Sequence, residues 1–195
     1  MSKKILKIIL IGDSNVGKTC LVRRYLENQY RETGNTIGLE YATKVIEINS
    51  ESVTVRIWDT AGQEKYQSLV ETYFTGTDGA LVVFDICSKE SFSNTQMWIS
   101  KLHEKCPDLP AILLVGSKYD LEENRVVTKE EVAQYAHEKQ MDYIDTSAKT
   151  GENVQEAFYQ IVYQAYNHFV TVRLKSLNDR VMQSKNLRTN KKCSC

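Results

Sequence analysis

Residues 12–19 read Gly12-Asp13-Ser14-Asn15-Val16-Gly17-Lys18-Thr19, directly after the apolar run Ile8-Ile9-Leu10-Ile11 and before Cys20-Leu21-Val22-Arg23-Arg24-Tyr25. A buried strand therefore runs into a glycine-rich turn that opens a helix. In a G-x-x-x-x-G-K-T turn so placed, the glycines let backbone N–H groups face an anion, and the helix adds its positive N-terminal end. Lys18 then reaches the β- and γ-phosphates of a nucleotide, and the Thr19 hydroxyl can ligate Mg²⁺. A strand, a phosphate loop and a helix in succession predict an α/β architecture.

Outward from this loop, short β-branched runs alternate with helical patterns, which predicts a six-stranded, mostly parallel sheet with helices on both faces. Strands are expected near 5–11, 40–48, 53–59, 79–85, 111–117 and 141–146, and helices near 17–28, 65–74, 91–105, 129–139 and 152–175. The second and third strands are joined by the polar turn Asn49-Ser50-Glu51-Ser52, which leaves no room for a helix, so they form a hairpin and one antiparallel edge strand. In the last helix Val154, Phe158, Ile161, Val162, Ala165, Phe169 and Val172 recur largely at spacings of three and four, the stripe of a core-facing helix. Thr128 reads as a helix N-cap with Glu131 closing a capping box. One domain is expected over 1–175, followed at 176–195 by a polar, flexible tail.

The 195 residues carry 25 basic and 25 acidic side chains, but seven of the basic ones and a single acidic one fall from Arg173 onward. An acidic body with a basic tail argues against a nucleic-acid partner and for a tail drawn to an anionic surface. The five cysteines show no C-x-x-C spacing, and Cys20, Cys87 and Cys106 fall in or beside predicted elements, as reduced thiols do. No run approaches the ~20 apolar residues of a membrane span, no N-terminal segment reads as a signal peptide, and Ser2 stands where N-myristoylation needs Gly. His103, His137 and His168 lack metal-ligand spacing and read as surface residues.

The chemistry continues at later strand ends. In Trp58-Asp59-Thr60-Ala61-Gly62-Gln63-Glu64 a strand ends in a carboxylate that is placed to hold Mg²⁺ opposite Thr19. Gly62 can offer its N–H to a γ-phosphate, and Gln63 can orient an attacking water. Leu114-Val115-Gly116-Ser117-Lys118-Tyr119-Asp120 supplies a second carboxylate, Asp120, that can accept from the ring N–H and exocyclic amine of guanine; adenine offers no such donor pair. Thr146-Ser147-Ala148-Lys149 follows the next strand, where the Ala148 N–H can donate to the guanine carbonyl and the stems of Lys118 and Lys149 can flank the ring.

With these four elements in order, the chain resembles the Ras superfamily of small GTPases and, more closely, its Rab branch. The Rab-like marks are Ile37-Gly38-Leu39-Glu40-Tyr41, the run Val55–Glu64, Lys65-Tyr66-Gln67-Ser68-Leu69 and the strand Leu81-Val82-Val83-Phe84-Asp85. The resemblance implies a P-loop GTPase fold and a GTP/GDP switch in vesicle traffic, with Mg²⁺ held by Thr19, Thr36 and Asp59. It assigns nucleotide contacts to Ser14, Asn15, Val16, Gly17, Lys18, Thr19, Cys20, Tyr30, Thr36, Gly62, Ser117, Lys118, Asp120, Leu121, Ser147, Ala148 and Lys149, and the catalytic role to Gln63. It further implies a monomer served by an exchange factor, an activating protein, a GDP-dissociation inhibitor or escort protein, and effectors reading the surface around Ile37, Tyr41, Trp58 and Tyr73. Lys192-Cys193-Ser194-Cys195 resembles the Cys-x-Cys ending that takes two geranylgeranyl groups, which implies the cytoplasmic face of an endomembrane compartment and a soluble cytosolic pool.

Three departures stand out. Ser117 replaces the usual Asn that ties the base-binding loop to the phosphate loop, and its shorter hydroxyl is expected to make fewer contacts and speed nucleotide release. The stretch Tyr30–Thr36 is one residue shorter than in typical Rab proteins and lacks the second aromatic that lids the phosphates. Asn15 replaces a Gly, which is tolerable because Asn visits positive φ readily. Two other classes fit the phosphate loop alone: a small-metabolite kinase, which has no use for Asp120 and Ala148, and a nucleotide-holding scaffold that does not cycle.

Overall fold

β1 (Ile5–Ile11) divides its side chains between two cores: Leu6, Ile8 and Leu10 join one, Ile9 and Ile11 the other. A strand buried on both faces belongs at the centre of a covered sheet. In the computed structural model, which describes residues 5–31, 39–60 and 72–171, β1 is joined by β2 (Leu39–Ile48), β3 (Glu51–Thr60), β4 (Gly79–Asp85), β5 (Ala111–Ser117) and β6 (Asp142–Asp145). The order across the sheet is β2-β3-β1-β4-β5-β6, with β2 antiparallel to β3 and every other pairing parallel.

Helices cover both faces. α1 (Lys18–Glu27) and α5 (helical over 154–171) bury Leu21, Val22, Tyr25, Phe158, Ile161 and Val162 against the Leu6 face. Tyr25 and Phe158 stack there with ring centroids 4.0 Å apart. On the opposite face lie α2 (Lys89–Ser93), α3 (Thr95–Lys105) and α4 (Lys129–Glu138), through Phe92, Trp98, Leu102, Val132 and Ala136. The expected sheet and its antiparallel edge are therefore present, and the three histidines are exposed.

Three local readings change. The hairpin turn is Asn49-Ser50 alone, both at positive φ (51° and 64°), while Glu51 and Ser52 pair with Ile48 and Glu47 in the ladder. A two-residue turn of this hand matches the strand twist, so the ladder runs on into polar residues that an edge strand can expose. The helix expected at 91–105 is two helices, because the run Ser91–Thr95 offers hydroxyls that compete for backbone carbonyls: Ser91 Oγ bonds Ser88 O (2.9 Å) and Thr95 Oγ1 bonds Phe92 O (2.6 Å). Thr128 caps α4 by accepting from the Glu131 N–H, but the Glu131 carboxylate pairs with Lys89 instead of closing the box. Val172 and the helix expected at 65–74, apart from its last three positions, lie outside the described residues.

Candidate functional site

The end of β3 and the loops that follow β1, β4, β5 and β6 gather at the carboxyl ends of the parallel strands, beside β1, where the chain's winding changes direction. The phosphate loop turns through Gly12 (φ 142°), Asn15 (φ 62°) and Gly17 (φ 97°) into α1. Asn15 thus takes the positive φ expected of it. Lys18 is only 5% exposed, and its ammonium donates to the carbonyls of Gly12 (2.8 Å) and Asp13 (2.6 Å). Burial pushes that ammonium down to about 8, against the pull of Asp59 and Asp13, so a polyphosphate arriving here would restore the charge that burial opposes. Asp13 is itself anchored: its carboxylate accepts from Asn94 Nδ2 and from the Trp98 indole N–H, both at 2.8 Å.

Thr19 and Asp59 line one cleft of about 390 Å³ between α1 and the β2–β3 edge. Asp59 is 2% exposed, and the Thr60 hydroxyl after it donates to Leu10 O (2.6 Å), fixing the end of β3 beside the start of the phosphate loop. A buried carboxylate and a hydroxyl in one cleft form an oxygen donor set that suits Mg²⁺.

The other half of the site is a pair of linked loops. Lys118 sits at φ 62° with its ammonium 2.6 Å from Asp85, at the end of β4. Asp120, whose side chain is 14% exposed, accepts from Ser147 Oγ (2.6 Å) and lies 3.8 Å from the Lys149 ammonium. The Tyr119 N–H bonds Thr146 O (3.0 Å), and beneath both loops Arg125 pairs with Asp145 (2.6 Å) and Glu122 (2.7 Å). Ala148 is buried, and its carbonyl accepts from Arg24 of α1 at 2.6 Å. Ser117 does reach the phosphate loop: its hydroxyl lies 2.5 Å from Val16 O and 2.9 Å from Phe84 O.

The structure thus brings together Ser14 to Cys20, Asp59, Ser117, Lys118, Asp120, Leu121, Ser147, Ala148 and Lys149, with Tyr30 following α1 at 38% exposure. Thr36, Ile37, Gly62, Gln63, Cys193 and Cys195 lie outside the described residues. Asp85, Arg24 and Asp13 carry contacts that the sequence reading did not assign. Asp85 had a signal, a carboxylate ending an apolar strand, whereas Arg24 looks like any basic residue on a helix.

A family model for the Ras family matches residues 7–167, nearly the whole described core. The chain belongs to the Ras family. It is 38% identical over 178 residues to the GTP-binding protein ypt3 of Schizosaccharomyces pombe, an alignment covering 91% of this chain and 83% of that one. To the Ras-related protein Rab-11B of Dictyostelium discoideum it is 43% identical over 153 residues (78% and 70% covered), and to the human Ras-related protein Rab-4B 37% over 155 (79% and 73%). It is a Rab-like small GTPase of membrane traffic, which binds guanine nucleotide and hydrolyses GTP to GDP and phosphate.

On this small GTPase, Tyr41, Trp58 and Tyr73 form a continuous aromatic strip beside the nucleotide site, with centroids 5.2 Å and 5.8 Å apart. Tyr41 is 63% exposed, and Lys7 lies 4.8 Å over the Trp58 ring while donating to Thr75 O (2.9 Å). In the nucleotide loops, Ser117 has one proton for two carbonyls, whereas an Asn amide has two. Ser117→Asn is accordingly expected to slow GDP release by up to about tenfold, the worth of one hydrogen bond, in a fluorescent-GDP displacement assay. An unchanged rate would mean that the single bond to the phosphate loop already suffices.

Proposed function

We propose that this GTPase is a membrane-anchored GTP/GDP switch in which Lys18 and the N–H groups from Ser14 to Cys20 hold the phosphates and Asp120 with Ala148 reads guanine. The observation that carries this reading is the convergence of a buried Lys18 and the Ser147-oriented Asp120 carboxylate on one end of the sheet. Thr19, Asp59 and Thr36 would hold Mg²⁺, which when bound neutralises charge developing on the phosphate oxygens. Thr36 and the Gly62 N–H tie two loops, about 31–41 and 60–74, to the γ-phosphate, so that its loss releases them. Gln63 orients the attacking water.

The aromatic strip of Tyr41, Trp58 and Tyr73 supports a surface whose shape depends on those loops and which effectors read. Small GTPases of this kind hydrolyse GTP on the order of 10⁻⁴ to 10⁻³ per second unaided, which argues for an activating protein that supplies an arginine. Slow release of a nucleotide held on so many sides argues for an exchange factor. The GTPase domain spans 1–175, and the tail at 176–195 carries geranylgeranyl groups on Cys193 and Cys195 beside basic residues, enough for stable attachment to the cytoplasmic face of an endomembrane compartment. A GDP-dissociation inhibitor or escort protein would shield the two lipids in the soluble pool.

Single-turnover hydrolysis tests the switch. Gln63→Leu is expected to bind GTP normally but to lower phosphate release at least about tenfold, because the water loses its orienting partner. Normal hydrolysis in that variant removes Gln63 from the mechanism, and transfer of the phosphate to a metabolite would make the protein a kinase.

A further inference from the structure

Arg24 stands on the last turn of α1, at the far end of the helix from the phosphate loop, yet its guanidinium reaches across to the loop that follows β6. Its Nε donates to Ala148 O (2.6 Å) and its Nη2 to Lys149 O (2.8 Å). Nη1 turns back to Asn28, to the backbone oxygen at 2.9 Å and to the side-chain oxygen at 3.3 Å, which closes the helix end. Every one of these acceptors is an uncharged oxygen. A Cβ added at Gly151, at φ 90°, would lie 3.7 Å from Arg24 Cδ, in ordinary contact, so the loop backbone runs alongside this side chain.

The three consecutive carbonyls of Ser147, Ala148 and Lys149 are all held: the first by the Gly151 N–H (2.8 Å), the other two by Arg24. In a trans peptide the N–H points opposite to the carbonyl of the same unit. Fixing the Ser147 and Ala148 carbonyls therefore fixes the direction of the Ala148 and Lys149 N–H groups. Asp120, the other base-reading group, is oriented from the same loop by Ser147 Oγ.

We infer that Arg24 is a positioning residue for guanine recognition: through the Ala148 carbonyl it sets the direction of the Lys149 N–H, and by pinning both the Ala148 and Lys149 carbonyls it braces the backbone just after the Ala148 N–H, whose own direction is set by the Ser147 carbonyl on Gly151. The inference rests on the proposed reading of guanine by Ala148 and adds the group that keeps the backbone around it in place. Two planar, charge-assisted donors in a fixed fork suit two adjacent carbonyls, which neither Lys nor Gln can reproduce.

The test compares release of GDP and of 6-thio-GDP from the full chain carrying Arg24→Gln, Arg24→Lys or neither. Sulfur is a weak acceptor, so 6-thio-GDP forfeits most of the bond at the guanine 6-position while keeping both donors to Asp120. The unsubstituted protein is expected to release 6-thio-GDP faster than GDP. Arg24→Gln is expected to speed GDP release about tenfold and 6-thio-GDP release about threefold or less, with Arg24→Lys between, so that the two nucleotides converge. An equal acceleration of both, or none, overturns the positioning role, since a merely loosened fold does not distinguish oxygen from sulfur. Equal release of both nucleotides by the unsubstituted protein overturns the Ala148 reading itself.

Discussion

Gly12→Ala is expected to destabilise the fold by about 4 kcal/mol, combining the strain of a side chain at positive φ with overpacking against an immovable neighbour. Gly12 sits at φ 142°, and a Cβ there would lie 2.1 Å from the Val83 carbonyl oxygen and 3.1 Å from its carbon. Neither atom can withdraw. Val83 lies in β4, which is hydrogen-bonded on one side to β1, where Ile11 pairs with Val82, and on the other to β5, where Val83 pairs with Val115. The loop must instead lift away from the sheet, carrying with it the carbonyl that holds Lys18 and the anchored Asp13. In a domain of this size about 4 kcal/mol lowers the melting temperature by roughly 8–16 °C. Gly76→Ala supplies the control: it has φ 72° but nothing within 4 Å of the added carbon, so it incurs backbone strain alone, about 1 kcal/mol. Thermal melts of the two variants separate the causes. Equal losses would show that the approach to Val83 contributes nothing.

The central strands were legible in the sequence because burial on both faces writes a continuous apolar run, and β1, β4 and β5 begin and end where those runs do. The edge was less legible. Glu51 and Ser52 look like turn residues, and only the positive φ of Asn49 and Ser50 shows that the turn is complete before them. The break between α2 and α3 was hidden for a different reason: helical periodicity runs straight through Asn94, whose amide is committed to Asp13, 81 residues away. The site divides along the same line. The phosphate, Mg²⁺ and base contacts proposed for Lys18, Asp59, Asp120 and Ala148 fall in short contiguous stretches at strand ends, so these residues could be named from spacing. The groups that aim them act across the chain: Asp85 holds Lys118 over 33 residues and Arg24 holds Ala148 over 124, and no local pattern records such distances. Ser117 is the instructive middle case. Its position was legible, but whether a hydroxyl spans the gap to Val16 is a matter of tenths of an ångström between two packed loops.

The largest change in ligand preference is expected from Asp120→Asn, which should weaken GDP binding by about a hundredfold or more while strengthening xanthosine diphosphate. The geometry around Asp120 predicts which way the new amide turns. Ser147 Oγ accepts from the Thr150 N–H (3.1 Å), and its own proton is directed to Asp120 Oδ1 (2.6 Å). An Asn at this position keeps that bond only by placing its oxygen toward Ser147, which leaves its NH₂ where Oδ2 now stands. Guanine presents two donors to this edge, so one of them would face the NH₂, and the carboxylate's charge is lost as well. Losing one charge-assisted hydrogen bond and leaving its donor unpaired costs about 3 kcal/mol, which is the hundredfold. Xanthine carries a carbonyl in place of the exocyclic amine, so with the Oδ2 position set against that amine the same NH₂ gains an acceptor. Competition of GDP and xanthosine diphosphate against a fluorescent guanine nucleotide, and against its xanthine counterpart for the variant, measures both arms. If GDP affinity survives the substitution, Asp120 does not read the base. If GDP weakens without a gain for xanthosine diphosphate, Asp120 reads the base but the new NH₂ does not face the 2-position of the ring.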